Sequence, residues 1–201
     1  RGQRRGYYAC VSFIDQQLAR IMTALDDSGQ AGNTNVIYTS DHGEMLGKFG
    51  LWWKCTLLED AARIPIIAAG PDFGAGVTET PVDLHDVQAS VFAATGATQP
   101  AGWLGSPLQS AAKATDRVVF AEYHGHGTRA GSFMMRRGDW KLIHNIAAPD
   151  QLFNLADDPE ELHNVHRAAP AIVEDLSAEL VKICDPAAEH QRAEAFWRAQ
   201  L

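Results

Sequence analysis

An α/β fold, followed by a smaller part built from antiparallel strands and helices, is the class this sequence predicts. Three observations predict it. A long helical repeat of apolar residues runs into a short apolar strand, NVIYTS. Apolar strand-like runs and helical runs then alternate as far as Gly96. Beyond residue 117 strand candidates follow one another directly, and two helical segments close the chain. The helix-then-strand order of the first half suits a parallel sheet. Residues 1–100 are expected to form α/β core and residues 117–201 a small antiparallel α+β subdomain.

Each element has its own justification. From Tyr8 to about Ser28, Val11, Ile14, Leu18, Ile21, Met22 and Leu25 recur at helical spacing, with Asp15, Gln16, Arg20 and Asp26 between them. Gly29 is a fitting C-terminal stop. After the strand NVIYTS and a glycine-rich segment, TLLEDAAR reads as a short helix and IPIIAAG as a second buried strand. GPDFGAG is a turn-rich loop, and HDVQASVFAAT is an amphipathic helix stopped by Gly96. Residues 97–116, rich in Gly, Pro, Ser and Ala, form a connector. RVVFAEYH, SFMMRR and WKLIHN are strands, the last two joined by a hairpin turn at Gly138-Asp139. QLFNL is a further short strand or turn. PAIVEDLSAELVKIC is a helix with Pro170 in its first turn, and AAEHQRAEAFWRAQL is a last helix of weaker amphipathicity.

The 201 residues suit one domain or slightly more, and an apolar share of 46% supplies a core and argues against disorder. A net charge of −8 argues against nonspecific nucleic-acid binding. No apolar run is long enough to span a membrane, and RGQRRGYYACVSF lacks the apolar stretch of a signal peptide. Cys10, Cys55 and Cys184 are too few and too scattered for a disulfide framework or a thiolate metal site, which favours a reducing, cytoplasmic setting. The chain opens on Arg1 with no initiator methionine, so it is expected to enter mid-protein, where a targeting signal upstream would be missed.

SDHGEMLGKFGLWWK, residues 40–54, concentrates the chemistry. Asp41 and His42 follow directly on an apolar strand, the edge at which open α/β sheets place ligands. A carboxylate and an imidazole there can share a divalent cation. Gly43, Gly47 and Gly50 permit a sharp turn and close backbone approach to a ligand, and Lys54 offers a fixed positive charge to an anionic substrate. The competing reading is a plain turn in which Asp41 caps the next helix.

The same stretch, followed by TLLEDAARIPIIAAGP, resembles the C-terminal signature of the sulfatase family in the alkaline-phosphatase-like superfamily. YYACVSFIDQQLARIMTAL resembles the helix before that signature. RRGDWKLIHN, QLFNLADDPEELHNV and their order resemble the C-terminal subdomain: a strand with Lys, then Leu-Tyr/Phe-Asp/Asn-Leu, then Asp-Pro-x-Glu. The resemblance covers nearly the whole chain. It implies the C-terminal portion of an alkaline-phosphatase-like sheet and part of a metal-dependent sulfuric ester hydrolase. Asp41 would bind a divalent metal ion, Ca or Mn with Zn possible in its place. His42 would be a second ligand or touch a sulfate oxygen, and Lys54 would contact the sulfate of a sulfate ester substrate.

The family's nucleophile is a formylglycine made from Cys or Ser in a Cys/Ser-x-Pro/Ala-x-Arg motif. No cysteine here fits, since the three read CVSFI, CTLLE and CDPAA. The paired aspartates that complete the metal site, and the mid-chain Lys and His, are missing as well; in the family all lie upstream. The expectation is therefore a C-terminal segment that is inactive alone, with the formylglycine in the missing N-terminal part. Phosphonate or phosphate ester hydrolysis, and a non-catalytic module binding an anion or a partner, are the alternatives. An open sheet edge would favour self-association.

Other residues carry readings of both kinds. His124, beside His126 in EYHGHGT, reaches the substrate or stands in a solvated loop. Cys55 is a reactive thiol beside Lys54 or a packed free one. Trp52 and Trp53 line a pocket, with at least one in the core. Arg63 pairs with Glu59 four residues earlier on a short helix. DDPEE is a helix start or turn.

Overall fold

In the computed structural model, which describes residues 2–200, the chain forms two compact units. Of these, the residues up to Trp53 together with 64–77 make the first; residues 54–63 together with those from Thr78 on make the second.

The first unit holds the predicted helix as α1 (Gly2–Asp27), which starts earlier than the apolar repeat indicates. Gly29 ends it with φ 71°, a left-handed turn that glycine adopts without a Cβ penalty. No residue of α1 is buried, and Tyr8, Val11, Phe13, Ile14 and Ile21 stand exposed along it. β1 (Val36–Thr39) and β2 (Ile66–Ala69) form a two-stranded sheet. They pair antiparallel, from Val36↔Ala69 to Thr39↔Ile66, so the expected parallel arrangement is corrected. A parallel return runs through a helix that packs across the sheet. Between these strands the chain has only a 3₁₀ turn at Lys48–Gly50 and the four-residue α2 (Glu59–Ala62). Nor is β2 buried on both faces as expected, because burial alternates along it and Ile67 is 62% exposed.

The second unit is an antiparallel meander, β3 (Val118–Tyr123), β4 (Ser132–Arg137), β5 (Trp140–Asn145) and β6 (Gln151–Asn154), in that spatial order. The Gly138-Asp139 turn closes on the Arg137↔Trp140 pair, with φ 54° at Gly138. The period-2 alternation sends Phe133, Met135, Leu142 and Leu152 to one face. There they form a core with Leu176 and Leu180 of α5 (Pro170–Ile183).

The opposite face is buried too, and it carries charge. Lys141 is wholly buried on β5, 2.9 Å from Glu59 Oε1 and 2.8 Å from Glu161 Oε1. Arg136 lies 3.5 Å from Glu59 Oε2, and the Glu59 amide donates to Glu161 Oε2 at 2.6 Å. Two cations thus face two carboxylates. Glu59 is committed to this group, which corrects its expected pairing with Arg63. DDPEE does form a turn: Asp158 accepts from the Leu162 and His163 amides at 3.0 and 2.8 Å. Its last residue, Glu161, is also a buried ion-pair partner, held at φ 55°.

The remaining helices brace this sheet's unit. α3 (Leu84–Thr95) begins with a capping box between Asp83 and Asp86. Asp86 is fully buried, accepts from the Ser106 amide at 2.9 Å and pairs with Arg117. The connector at 97–116 is pinned to α3: a Cβ on Gly105 would lie 2.1 Å from the His85 carbonyl oxygen. It also contains the one-turn α4 (Leu108–Ala111). α6 (Pro186–Arg198) follows α5, its N-terminus capped by Asp185.

Candidate active site

β1 ends at Thr39, and the chain turns at once. Ser40 Oγ donates to the His42 carbonyl at 2.9 Å, and the His42 amide donates to Asp41 Oδ1 at 3.0 Å. These bonds fix the Asp41 carboxylate beside the imidazole. His42 Nδ1 lies 2.9 Å from Gly43 O; a carbonyl only accepts, so Nδ1 carries the proton and Nε2 the lone pair. Nε2 then faces Asp41 Oδ2 at 3.3 Å. Two lone-pair atoms at that separation suit a proton or a cation between them.

The donor set fits a divalent metal ion. Bonds of about 2.0–2.2 Å set adjacent ligand atoms roughly 3–3.5 Å apart, the spacing found here. The Nδ1–H to backbone carbonyl bond is the outer-shell arrangement that orients a metal-binding histidine. Asp41 is 81% exposed at its side chain, so solvent reaches the pair. Among the described residues no group of three or more His, Cys, Asp or Glu side chains is placed to hold a metal, so these two are at most part of a site.

Glu44, two residues on, organises the loop that follows. Its Oε1 accepts from the Trp53 amide at 2.6 Å and the Leu46 amide at 3.2 Å. Met45 is buried, and its amide donates to Trp53 O at 2.9 Å. Arg4 of α1 donates to Leu46 O at 2.7 Å. Within this loop Leu46, Phe49 and Trp53 take φ values of 49°, 53° and 70°, alongside 91° at Gly47 and 78° at Gly50. Non-glycine residues there are strained, and such strain concentrates at functional turns. Glu44 is not among the residues the sequence singles out; an acid two residues beyond Asp-His in a glycine-rich turn is the available signal. Trp52 and Trp53 are 42% and 66% exposed, so neither enters the core, contrary to expectation.

Lys54 opens the second unit. Its neighbour Cys55 is packed: a Cβ on Gly127 would lie 3.2 Å from Cys55 Sγ. Burial, then the Cys55 thiol beside it, push the Tyr123 hydroxyl up to about 12. The phenol therefore keeps its proton and donates to His126 O at 2.9 Å. Cys55 and Tyr123 thus seat the 124–128 loop against the segment that begins at Lys54. His124 is largely buried in that loop, its ring edge-on to Phe133 at 5.2 Å and its Nε2 3.2 Å from Glu122 Oε2. The structure brings Asp41 together with His42 in one unit, and the Lys54–Thr56 segment together with the loop after His124 in the other.

Comparison with known proteins gives these arrangements a context. The family model described as Sulfatase matches residues 1–97. Arylsulfatase K of Danio rerio is 32% identical over 197 residues, covering 92% of this chain and 38% of the relative. Choline-sulfatase of Rhizobium meliloti is 31% identical over 202 residues, covering 98% and 39%. The chain thus spans under two-fifths of the length of these relatives. Among solved structures, BT4656 in complex with its substrate D-glucosamine-2-N,6-O-disulfate superposes with TM-score 0.76 at 23% identity, over 86% of this chain and 38% of that one. A phosphonate monoester hydrolase from Silicibacter pomeroyi superposes with TM-score 0.71 at 25% identity, over 84% and 38%.

Proposed function

Because the chain belongs to the sulfatase family and shares its alkaline-phosphatase-like fold, we propose that it supplies part of the metal and sulfate site of a sulfuric ester hydrolase. The observation that carries this reading is the facing of Asp41 Oδ2 and His42 Nε2 at 3.3 Å, with Nδ1 tied to Gly43 O. Asp41 and His42 would hold a divalent cation, which when bound polarises and neutralises an oxyanion. Lys54 places a further positive charge for the sulfate, and it serves as the catalytic electrostatic group of this segment. His124, in the loop seated by Tyr123, is assigned to contact with the substrate. The nucleophile, a formylglycine in this family, would come from outside these 201 residues, as would the remaining metal ligands. Residues 1–100 would then belong to the catalytic core and 117–201 to a subdomain. The exposed apolar residues of α1 and β2 support association of the isolated chain.

His42 sets the metal preference. An imidazole nitrogen is softer than an amide or carboxylate oxygen, so manganese or zinc is favoured over calcium. The test measures retained Mn, Zn and Ca by elemental analysis, after chelation and reloading of the longer protein, for the parent and for His42→Asn. A shift toward calcium in His42→Asn supports the assignment; an identical ranking would remove His42 from the ligand set. Phosphonate ester hydrolysis is the second reading, favoured by the structural likeness to the Silicibacter pomeroyi enzyme. Comparing an aryl sulfate with an aryl phosphonate on the metal-loaded longer protein separates the two.

A further inference from the structure

A cavity of about 360 Å³ opens in the second unit between the 124–131 loop and α6. Acids outnumber bases in this chain, 25 Asp and Glu against 17 Lys and Arg. The cavity reverses that balance: Arg129, Arg198, His124, His126 and His190 line it, and Glu194 is the one acid among the described lining residues. Glu194 is already engaged, 3.2 Å from Arg198 and 3.7 Å from His190. His124 Nε2 is likewise turned to Glu122. The Arg129 guanidinium and the His126 imidazole make no hydrogen bond or ion pair among the described residues, and both stand exposed at the opening.

An unneutralised guanidinium recognises anionic oxygens through its planar fork of donors. The cavity also has an apolar wall. Trp197 is 50% exposed in it, and its indole N–H reaches the His124 carbonyl at 3.4 Å, which fixes the ring's position. The volume lies in the range of small-molecule sites and far exceeds what an inorganic anion fills. A flat aromatic face beside a cationic fork matches a ring that carries an acidic group.

We infer that this cavity binds a ring-sized organic anion, its carboxylate or sulfate held by Arg129 and His126 and its ring laid on Trp197. The proposed site rests on Arg129, His126 and Trp197 and on neither Asp41 nor His42, so its failure would leave the metal assignment standing; His124, proposed above as a substrate contact, also lines the cavity.

Calorimetric titration of the 201-residue chain tests it with galacturonate, glucose 6-sulfate, neutral glucose and inorganic sulfate. The two arms with charged sugars distinguish a carboxylate ligand from a sulfate one. At least one charged sugar should bind about tenfold or more tightly than glucose, as expected of a hydrogen bond to a charged group. It should also exceed inorganic sulfate. Arg129→Gln should lose that advantage, Arg129→Lys should keep part of it, and Trp197→Ala should weaken the charged sugar while leaving inorganic sulfate unchanged. Arg129 is exposed and has no side-chain partner among the described residues, so its variants should keep the parent's circular-dichroism melt. Equal binding of charged and neutral sugars, undiminished binding by folded Arg129→Gln, inorganic sulfate binding as tightly as glucose 6-sulfate, or no binding of either charged sugar would each overturn the proposal.

Discussion

Replacing Lys141 with methionine removes one cation from a buried group of two cations and two carboxylates. Lys141 is wholly buried, and the Glu161 side chain beside it is fully buried as well. Methionine fills nearly the same volume, so the lost term is electrostatic. Glu59 keeps Arg136 at 3.5 Å, but among the described residues the Glu161 carboxylate is left with only the Glu59 amide. Breaking a buried pair by removing one partner costs about 3–5 kcal/mol. For a chain of this size that lowers the melting temperature by roughly 6–20 °C. Because the chain has two units, the assay should read the sheet itself: native-state hydrogen exchange at the Leu142 and Ile143 amides of β5. Lys141→Met should accelerate exchange there by two orders of magnitude or more, on the order of what 3 kcal/mol implies. Adding Glu161→Gln should recover part of the loss, since it removes the stranded charge. Exchange within a factor of two of the parent, or a double variant worse than the sum of the singles, would refute the reasoning.

Other outcomes follow from particular groups. The Leu162 amide, then the His163 amide and imidazole, hold the Asp158 carboxyl below its usual value. A lowered acid contributes stability that is present above the unfolded value of 3.8 and lost as pH falls through the folded one. Urea midpoints should therefore fall more between pH 5 and pH 3 in the parent than in Asp158→Asn. Gly105→Ala places a methyl against the His85 carbonyl oxygen, 2.1 Å from the new Cβ, so the connector must move. A loss of roughly 1–3 kcal/mol in urea unfolding is expected. The 201-residue chain should show no aryl sulfate turnover; hydrolysis abolished by Asp41→Ala would contradict the division of the site proposed above. Sedimentation should show concentration-dependent association, and a monomer that binds no apolar dye would count against it.

The elements were legible because their periods are local. The helical repeat of α1, the glycine stop at Gly96 and the Gly138-Asp139 hairpin each follow from residues within a few positions of one another. Pairing direction was not legible. Nothing inside VIYT or IIAA says which way the partner runs, and the short α2 in the connection is a weak signal against a crossover. The ion group on the second sheet face was half visible. A lysine inside the apolar strand WKLIHN demands a buried partner, but Glu59 and Glu161 lie 82 and 20 positions away, beyond any periodic pattern. At the candidate site, Asp41 and His42 stood out because acid and imidazole follow a strand directly. Their tautomer did not, since it depends on the direction of the Gly43 carbonyl.

Glu44 shows how a side chain can set a site through the backbone it holds. Its carboxylate draws the Trp53 amide to 2.6 Å, which closes the loop from Met45 to Trp53 on itself. Three non-glycine residues in that loop hold positive φ, each unfavourable by about 1–2 kcal/mol relative to ordinary backbone. Such a turn persists only where other bonds over-determine it, and here the Glu44, Met45 and Arg4 contacts supply them. Charge-assisted bonds to backbone amides are stronger than neutral ones. Glutamine at position 44 would keep the shape and weaken both bonds, and alanine would remove them. The loop ends one residue before Lys54, so slack in it passes directly to the backbone that carries the proposed sulfate contact. In the longer hydrolase proposed above, Glu44→Gln should therefore raise KM for a sulfate ester with little change in any metal held by Asp41 and His42, because those two are positioned by Ser40 and Gly43 instead. Loss of metal in Glu44→Gln would show that the loop and the metal pair form a single structural unit.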